Sequence, residues 1–255
     1  AHQNILLGTS SRHALLMDAR TGQVLARKRS GEEAAPASLT KMMTVLLATE
    51  ALPDLDTPVT LPEDIFPALY KADASMAGFQ PGETVTVRDL LYGAMLPSGA
   101  ECCEALARQV SGSEEAFVER MNQRAAELGM ADTHFCNATG LPAEGHVTSA
   151  YDIALMSREL IRNHPDIRQY TTIWMDTLRD GTFQLANTNK LIRFYDGATG
   201  LKTGSTDSAK YCLSATAERE GMELIAVVLK SPTGQQRFED AKALLNYGFS
   251  TYALL

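Results

Sequence analysis

Two short apolar runs, Ala14-Leu15-Leu16-Met17 and Val24-Leu25-Ala26, flank a polar turn containing Thr21-Gly22, which is the pattern of a β-hairpin. A polar loop then ends at Pro36-Ala37. From Ser38 the apolar spacing turns helical, with Met42, Val45, Leu46 and Thr49 on one face and the proline marking the helix start. The middle of the chain keeps that period. Residues 84–87 read as a short strand, 89–96 as a helix broken by Pro97-Ser98-Gly99, and 100–110 as its resumption. Residues 114–128 form a further amphipathic helix stopped by Gly129. Ser149-Ala-Tyr-Asp152 has the form of a capping box opening a helix over 151–163, with Pro165 just beyond its end. The last third alternates instead. Residues 174–178 and 182–186 form a hairpin around Asp180-Gly181, and 211–217 and 222–229 form another through Glu220-Gly221, before a closing helix over 235–249. Strands at both ends and helices between predict an α+β fold in which the first hairpin joins the sheet of the last strands. A single domain over 1–255 is expected, with a helical lobe roughly over 50–165 inserted between the sheet-forming parts.

Composition narrows the function. With 45% hydrophobic and 21% charged residues the chain is globular. Its net charge of -8 argues against nucleic acid as a partner, because phosphate neutralisation needs a basic face. Apolar runs such as 224–229 are far too short to span a bilayer. Cys102, Cys103, Cys136 and Cys212 contain no Cys-x-x-Cys pair, which excludes zinc ribbons and thioredoxin-like redox sites. Adjacent Cys102 and Cys103 would pair badly with each other, so the four are read as buried free thiols. His2, His13, His134, His146 and His164 show no metal-ligand spacing, and no metal or cofactor is expected. Met42, Met43, Met121 and Met156 read as core. No Gly-x-Ser-x-Gly elbow occurs, which disfavours an α/β-hydrolase triad.

Three short motifs can carry chemistry. Ser38-Leu39-Thr40-Lys41 is the only Ser-x-x-Lys in the chain. On a helix these residues share a face, so the lysine amine can reach the serine hydroxyl and, partly desolvated, take its proton. Alone, the same letters read more readily as a helix cap followed by a surface lysine. Ser98-Gly99-Ala100 lies in a helix break, where a hydroxyl can be aimed into a cleft. Lys202-Thr203-Gly204 precedes the terminal sheet. A lysine and a hydroxyl on an edge strand, beside a glycine that lets backbone approach, suit a substrate carboxylate.

In this order and spacing the three resemble the motifs of the penicillin-recognising active-site serine enzymes. Pro36-Ala-Ser-Leu-Thr-Lys-Met-Met-Thr44, Asn137-Ala-Thr-Gly-Leu141, Asp196-Gly197 ahead of Lys202-Thr203-Gly204, and Leu245-Asn-Tyr-Gly-Phe249 resemble the D-alanyl-D-alanine carboxypeptidases of the low-molecular-mass penicillin-binding proteins. The resemblance runs from about Ile5 to the C-terminus. It implies a β-lactamase/transpeptidase-like fold and a serine peptidase that removes the terminal D-alanine of peptidoglycan stem peptides through an acyl-enzyme. Ser38 would be the nucleophile, Lys41 its base and Ser98 a proton relay to the leaving amine. Lys202, Thr203 and Arg237 would hold the substrate carboxylate, and the N–H groups of Ser38 and Ser205 (just after Gly204) would form the oxyanion hole. β-Lactams would act as covalent inhibitors at an extracytoplasmic location. Many members continue into a small β domain and an amphipathic anchor, so membrane association is expected only through such an anchor beyond Leu255.

One departure stands out. Where the family's middle motif usually ends in Asn, this chain has Ala100, which cannot hydrogen-bond the substrate backbone. Glu101 follows, but as a helical neighbour it is expected to point elsewhere. Two rivals are therefore carried: a catalytically weakened peptidoglycan- or penicillin-binding module, supported by Ala100 alone, and a class A-like β-lactamase. The latter would need a deacylating carboxylate, for which Glu159 in Glu159-Leu-Ile-Arg-Asn163 is the only spacing match. Its distance along the chain from Ser98 favours a helix-surface or paired role for Glu159 instead.

Overall fold

The computed structural model describes residues 8–178 and 183–252. Among the described residues, nine strands run in chain order as β1 (His13–Asp18), β2 (Val24–Lys28), β3 (Pro58–Thr60), β4 (Thr84–Thr86), β5 (Met175–Leu178), β6 (Phe183–Ala186), β7 (Ala198–Thr206), β8 (Lys210–Arg219) and β9 (Met222–Ser231). The helices are α1 (Lys41–Ala51), α2 (Phe66–Lys71), α3 (Val87–Met95), α4 (Ala100–Ser111), α5 (Glu114–Glu127), α6 (Ala150–Asn163), α7 (Arg168–Thr171), α8 (Leu191–Phe194) and α9 (Gly234–Thr251), with a 3-10 turn at Ala37–Thr40 ahead of α1. The main sheet is antiparallel in the order β2-β1-β9-β8-β7, so the N-terminal hairpin does pair with the C-terminal strands. The fold is α+β as expected.

The central strands are apolar on both faces because both are covered. In β9, Leu224, Ala226 and Val228 pack toward α9 with Phe238, Ala241, Leu244 and Leu245, while Ile225, Val227 and Leu229 face the helical lobe. β1 divides likewise, Ala14 and Leu16 against Leu15 and Met17. Inside the lobe α1 is wrapped on all sides, every residue from Lys41 to Ala48 being buried. A helix buried all round holds its first turn rigidly, and that turn follows Ser38.

Local signals explain most boundaries. The break at Pro97-Ser98-Gly99 separates α3 from α4, and Gly112 and Gly129 end α4 and α5 in left-handed conformations. The capping-box expectation at Ser149 is half met. Its hydroxyl accepts the Asp152 N–H at 3.2 Å, but the Asp152 carboxylate turns instead to the Asp132 N–H and the Thr133 hydroxyl. A full capping box occurs at Thr86 and Asp89, where α3 begins. The β3 strand, which pairs with β4, carries no signal in the sequence because three residues are too few to show a period. The turn around Asp180-Gly181 lies outside the described residues. All four cysteines are free, but only Cys102, Cys103 and Cys212 are buried; Cys136 is half-buried, since it sits on a surface loop with its thiol on the Glu144 carbonyl.

Because α3 leads directly into the Ser98 break, its capping box secures one side of the cleft. Thr86→Ala removes that cap and is expected to destabilise the protein by about 1 kcal/mol. A thermal melt should show the midpoint falling by about 2–4 °C.

Candidate active site

Ser38 sits in the 3-10 turn Ala37–Thr40, so the regular helix begins at Lys41, which opens α1. The Lys41 Nζ lies 2.6 Å from the Ser38 Oγ. Two close backbone approaches hold this turn. Ala37 is in the left-handed region at φ 49°, and Gly140 packs on it so tightly that a Cβ there would stand 1.9 Å from the Ala37 carbonyl oxygen. Gly204 of β7 leaves no more room, its virtual Cβ falling 2.8 Å from the Ser38 nitrogen. Glycine at both positions is thus a condition for the turn to fit. The 137–141 segment is shaped by Asn137, whose Oδ1 accepts the Thr139 and Gly140 N–H groups while its amide donates to the Leu141 carbonyl. Thr44 of α1 ties the same segment down by donating to the Ala138 carbonyl at 2.7 Å.

A cavity of about 380 Å³ opens over Ser38. Lys41, Ala100 and Ser205 line it together with Thr139 and Gly140 on one side and Asp73 and Ser75 on another. Lys41 is only 2% exposed, and burial lowers its pKa; the electrostatic influence of Cys103, Glu101 and Cys102 opposes that shift. A desolvated amine held against a hydroxyl is the chemical form of a general base. Lys202 is equally buried, and its pKa lies well below the usual lysine range through burial first and then the nearby charge of Lys41. Its Nζ donates to the Thr203 carbonyl at 2.8 Å, and the Thr203 hydroxyl pairs with that of Thr188.

Ser98 is 5% exposed, in the left-handed region at φ 66°, and its buried hydroxyl has no hydrogen-bond partner among the described residues. Such strain and an unpaired polar atom are tolerated where they serve a function. Arg237 is no solvated helix charge. From α9 it lies across the Tyr211 and Phe238 rings and donates to the Gly204 carbonyl at 3.2 Å. The structure thus gathers Ser38, Lys41 and Ser205 on one cavity, with Gly204 against the Ser38 nitrogen and Arg237 bonded to Gly204. Ser98, Lys202 and Thr203 are buried and absent from the cavity lining. Glu159 is held by Arg124 at 2.8 Å and by Asn163, which leaves it a paired helix residue. Glu101 does point elsewhere, toward the Ala77–Phe79 backbone.

His146 is the residue that sequence reasoning passed over. It is 5% exposed, its Nδ1 accepts the Cys136 N–H, and its Nε2 therefore carries the proton and donates to the Thr40 hydroxyl at 2.8 Å, in the turn that carries Ser38. Burial, followed by the charge of His134, pushes its pKa down to about 4. Nothing in one sequence separates such a histidine from a surface one.

A buried lysine bonded to a serine at the start of a helix, beside a lysine-bearing edge strand, fits the class of serine proteins in which a lysine can serve as base. Within it, the chain belongs to the D-alanyl-D-alanine carboxypeptidase family of peptidases S11, whose model matches residues 2–233. It is 43% identical over 253 residues to the D-alanyl-D-alanine carboxypeptidase DacF of Bacillus subtilis, covering 96% of this chain and 64% of the relative. It is 36% identical over 244 residues to DacC of Escherichia coli, covering 92% of this chain and 60% of the relative. The chain thus spans under two thirds of the length of these curated relatives. Among solved structures, the Streptomyces K15 DD-transpeptidase superposes with a TM-score of 0.88 at 31% identity, covering 95% of this chain and 98% of the other. Penicillin-binding protein 5 of Haemophilus influenzae gives 0.89 at 31% identity, covering 95% and 71%.

Two outcomes follow from this geometry. Gly204→Ala presses a methyl group on the Ser38 nitrogen, and overpacking of this kind should destabilise the protein by about 1–3 kcal/mol, read as a lower midpoint in a thermal melt. For His146, the unfolded chain takes up a proton near pH 6.5 while the folded one resists until about pH 4. Stability contributed by the neutral ring is complete above pH 6.5, declines as pH falls, and is lost by pH 4, a total of about 3 kcal/mol. Denaturant titrations across this window should show a shallower decline for His146→Asn than for the unaltered protein.

Proposed function

We propose that this chain is the catalytic domain of a serine-type D-Ala-D-Ala carboxypeptidase acting on peptidoglycan stem peptides. The observation that carries the reading is the 2.6 Å contact between a buried, pKa-lowered lysine amine and the Ser38 hydroxyl. Lys41 takes the hydroxyl proton as Oγ attacks the penultimate D-alanine carbonyl. The oxyanion that forms is met by the N–H groups of Ser38 and Ser205, donors worth roughly 3–4 kcal/mol each in such sites. Collapse breaks the C–N bond, and the leaving amine receives a proton from the Lys41 side through Ser98, releasing D-alanine. Water then attacks the ester and gives a proton to Lys41, which passes it to the departing Ser38 Oγ as the shortened peptide is freed. Lys202, Thr203 and Arg237 supply the positive potential and hydroxyl for the terminal carboxylate.

A β-lactam presents the same carbonyl and carboxylate, so it acylates Ser38 and is trapped as the ester. The place of action is extracytoplasmic, because peptidoglycan lies outside the cytoplasmic membrane. No helix among the described residues is long and apolar enough to cross a bilayer. A carboxypeptidase, for which the family is named, passes the acyl group to water, whereas a transpeptidase such as the K15 enzyme passes it to an amine. Measuring D-alanine release from a D-Ala-D-Ala peptide with and without an added amino acid separates the two acceptors. Release that does not depend on the amine is the expected result; bound peptide with no release would leave a binding module.

Intact-mass measurement after penicillin treatment should show a single adduct that is absent in Ser38→Ala. An adduct on another residue would remove the nucleophile assignment. Ala100→Asn restores a hydrogen-bonding group beside the cavity, and peptide hydrolysis should rise about tenfold, the value of one such bond to a desolvated partner; an unchanged rate would mean that the site manages without it.

A further inference from the structure

Glu101 takes no part in the chemistry above, yet it is among the most enclosed carboxylates of the protein, at 0% exposure. Its two oxygens accept the Ala77 N–H at 2.8 and 3.0 Å, and Oε2 also accepts the N–H groups of Gly78 at 2.9 Å and Phe79 at 3.2 Å. No lysine or arginine is bonded to it among the described residues. Three consecutive backbone donors around one buried anion form a tight local nest, and burying such a group is tolerable only because its lone pairs are filled. The gripped segment runs back into Ala72, Asp73, Ala74 and Ser75, which make one wall of the Ser38 cavity, and the Ala100 N–H donates to the Ser75 carbonyl at 2.8 Å. The packing is close, since a Cβ on Gly99 would stand 2.7 Å from both Glu101 Oε1 and the Ala77 Cβ. On its other side Glu101 acts electrostatically on Lys41, which is also faced by Cys102 and Cys103 of α4, by Lys202 of β7 and by Ser38 of its own turn.

We infer that Glu101 is a positioning residue for acylation: its carboxylate fixes the 72–79 wall of the cavity against the Ser98 break and presents a fixed negative charge to Lys41. The inference rests on Ser38 being the nucleophile. The two parts of the role leave different traces. Losing the wall weakens the complex that precedes the covalent step. Losing the charge removes an influence that raises the Lys41 pKa against burial, so the amine is free at lower pH and the acid limb of the acylation profile moves down.

The test is stopped-flow acylation by a chromogenic penicillin across pH, with the unaltered protein, Glu101→Gln and Glu101→Asp, each checked for folding by circular dichroism. Glu101→Gln keeps the length but loses the charge and turns a donor toward three N–H groups. It should raise the dissociation constant of the pre-covalent complex at least fivefold and displace the acid limb to lower pH. Glu101→Asp keeps the charge with a shorter reach, so it should weaken the complex and leave the limb in place. A folded Glu101→Gln protein with unaltered constants and limb overturns the inference. So does a loss of rate with no displacement of the limb, which would reduce Glu101 to a structural tie. Should Glu101→Gln not fold, Glu101→Asp decides: an unweakened complex overturns the inference, and a weakened one with the limb in place supports it. Failure of the unaltered protein to form any adduct would count against the Ser38 reading and is distinguishable from all of these.

Discussion

Everything in this molecule depends on keeping an amine dry. A lysine in water is protonated and useless as a base; at the first turn of α1, with 2% of its surface exposed, Lys41 loses the hydration that stabilises its charged form. Desolvation at that point is possible only because α1 is enclosed on every side by the lobe and by one face of the sheet. The packing of the core and the reactivity of the site are therefore one property.

The second lysine extends this logic. Lys202 is as buried as Lys41, and each cation makes the other harder to hold in its charged form. Arg237 adds to the positive potential from α9 while its guanidinium lies on the Tyr211 and Phe238 rings, which hold it in place. Lys202 thus feels two other cationic side chains, Lys41 and Arg237.

Positive-φ backbone and glycine contacts give the site its shape. Ala37 and Ser98 both occupy the left-handed region, and each lies in or beside the segment that presents a serine. Conformations of this kind cost about 1–2 kcal/mol per residue and persist when surrounding contacts overdetermine them. Here those contacts are Gly140 on Ala37, Gly204 on the Ser38 nitrogen, and the Glu101 clamp behind the Ser98 break. The three motifs are distant in the chain, yet each contributes a backbone surface that the others press against.

The letters alone determined the periodic features and the ordered motifs. The two-sided apolar run of β9, the helix breaks at Pro97-Ser98-Gly99 and Gly129, and the Ser-x-x-Lys spacing are local, so the α+β class and the nucleophile candidates could be read directly. What needed the tertiary structure is whatever depends on a partner far along the chain. The short β3 strand has no period to show, the Asp152 carboxylate left its own helix cap for Asp132 and Thr133, and His146 and Glu101 became important only when Thr40 and the Ala77–Phe79 backbone were folded against them. Sequence spacing fixes which side chains can share a helix turn. Burial, which lowers the pKa of Lys41, and the three backbone N–H groups that make a buried Glu101 tolerable are properties of the assembled core and exist only once the whole chain has closed around them.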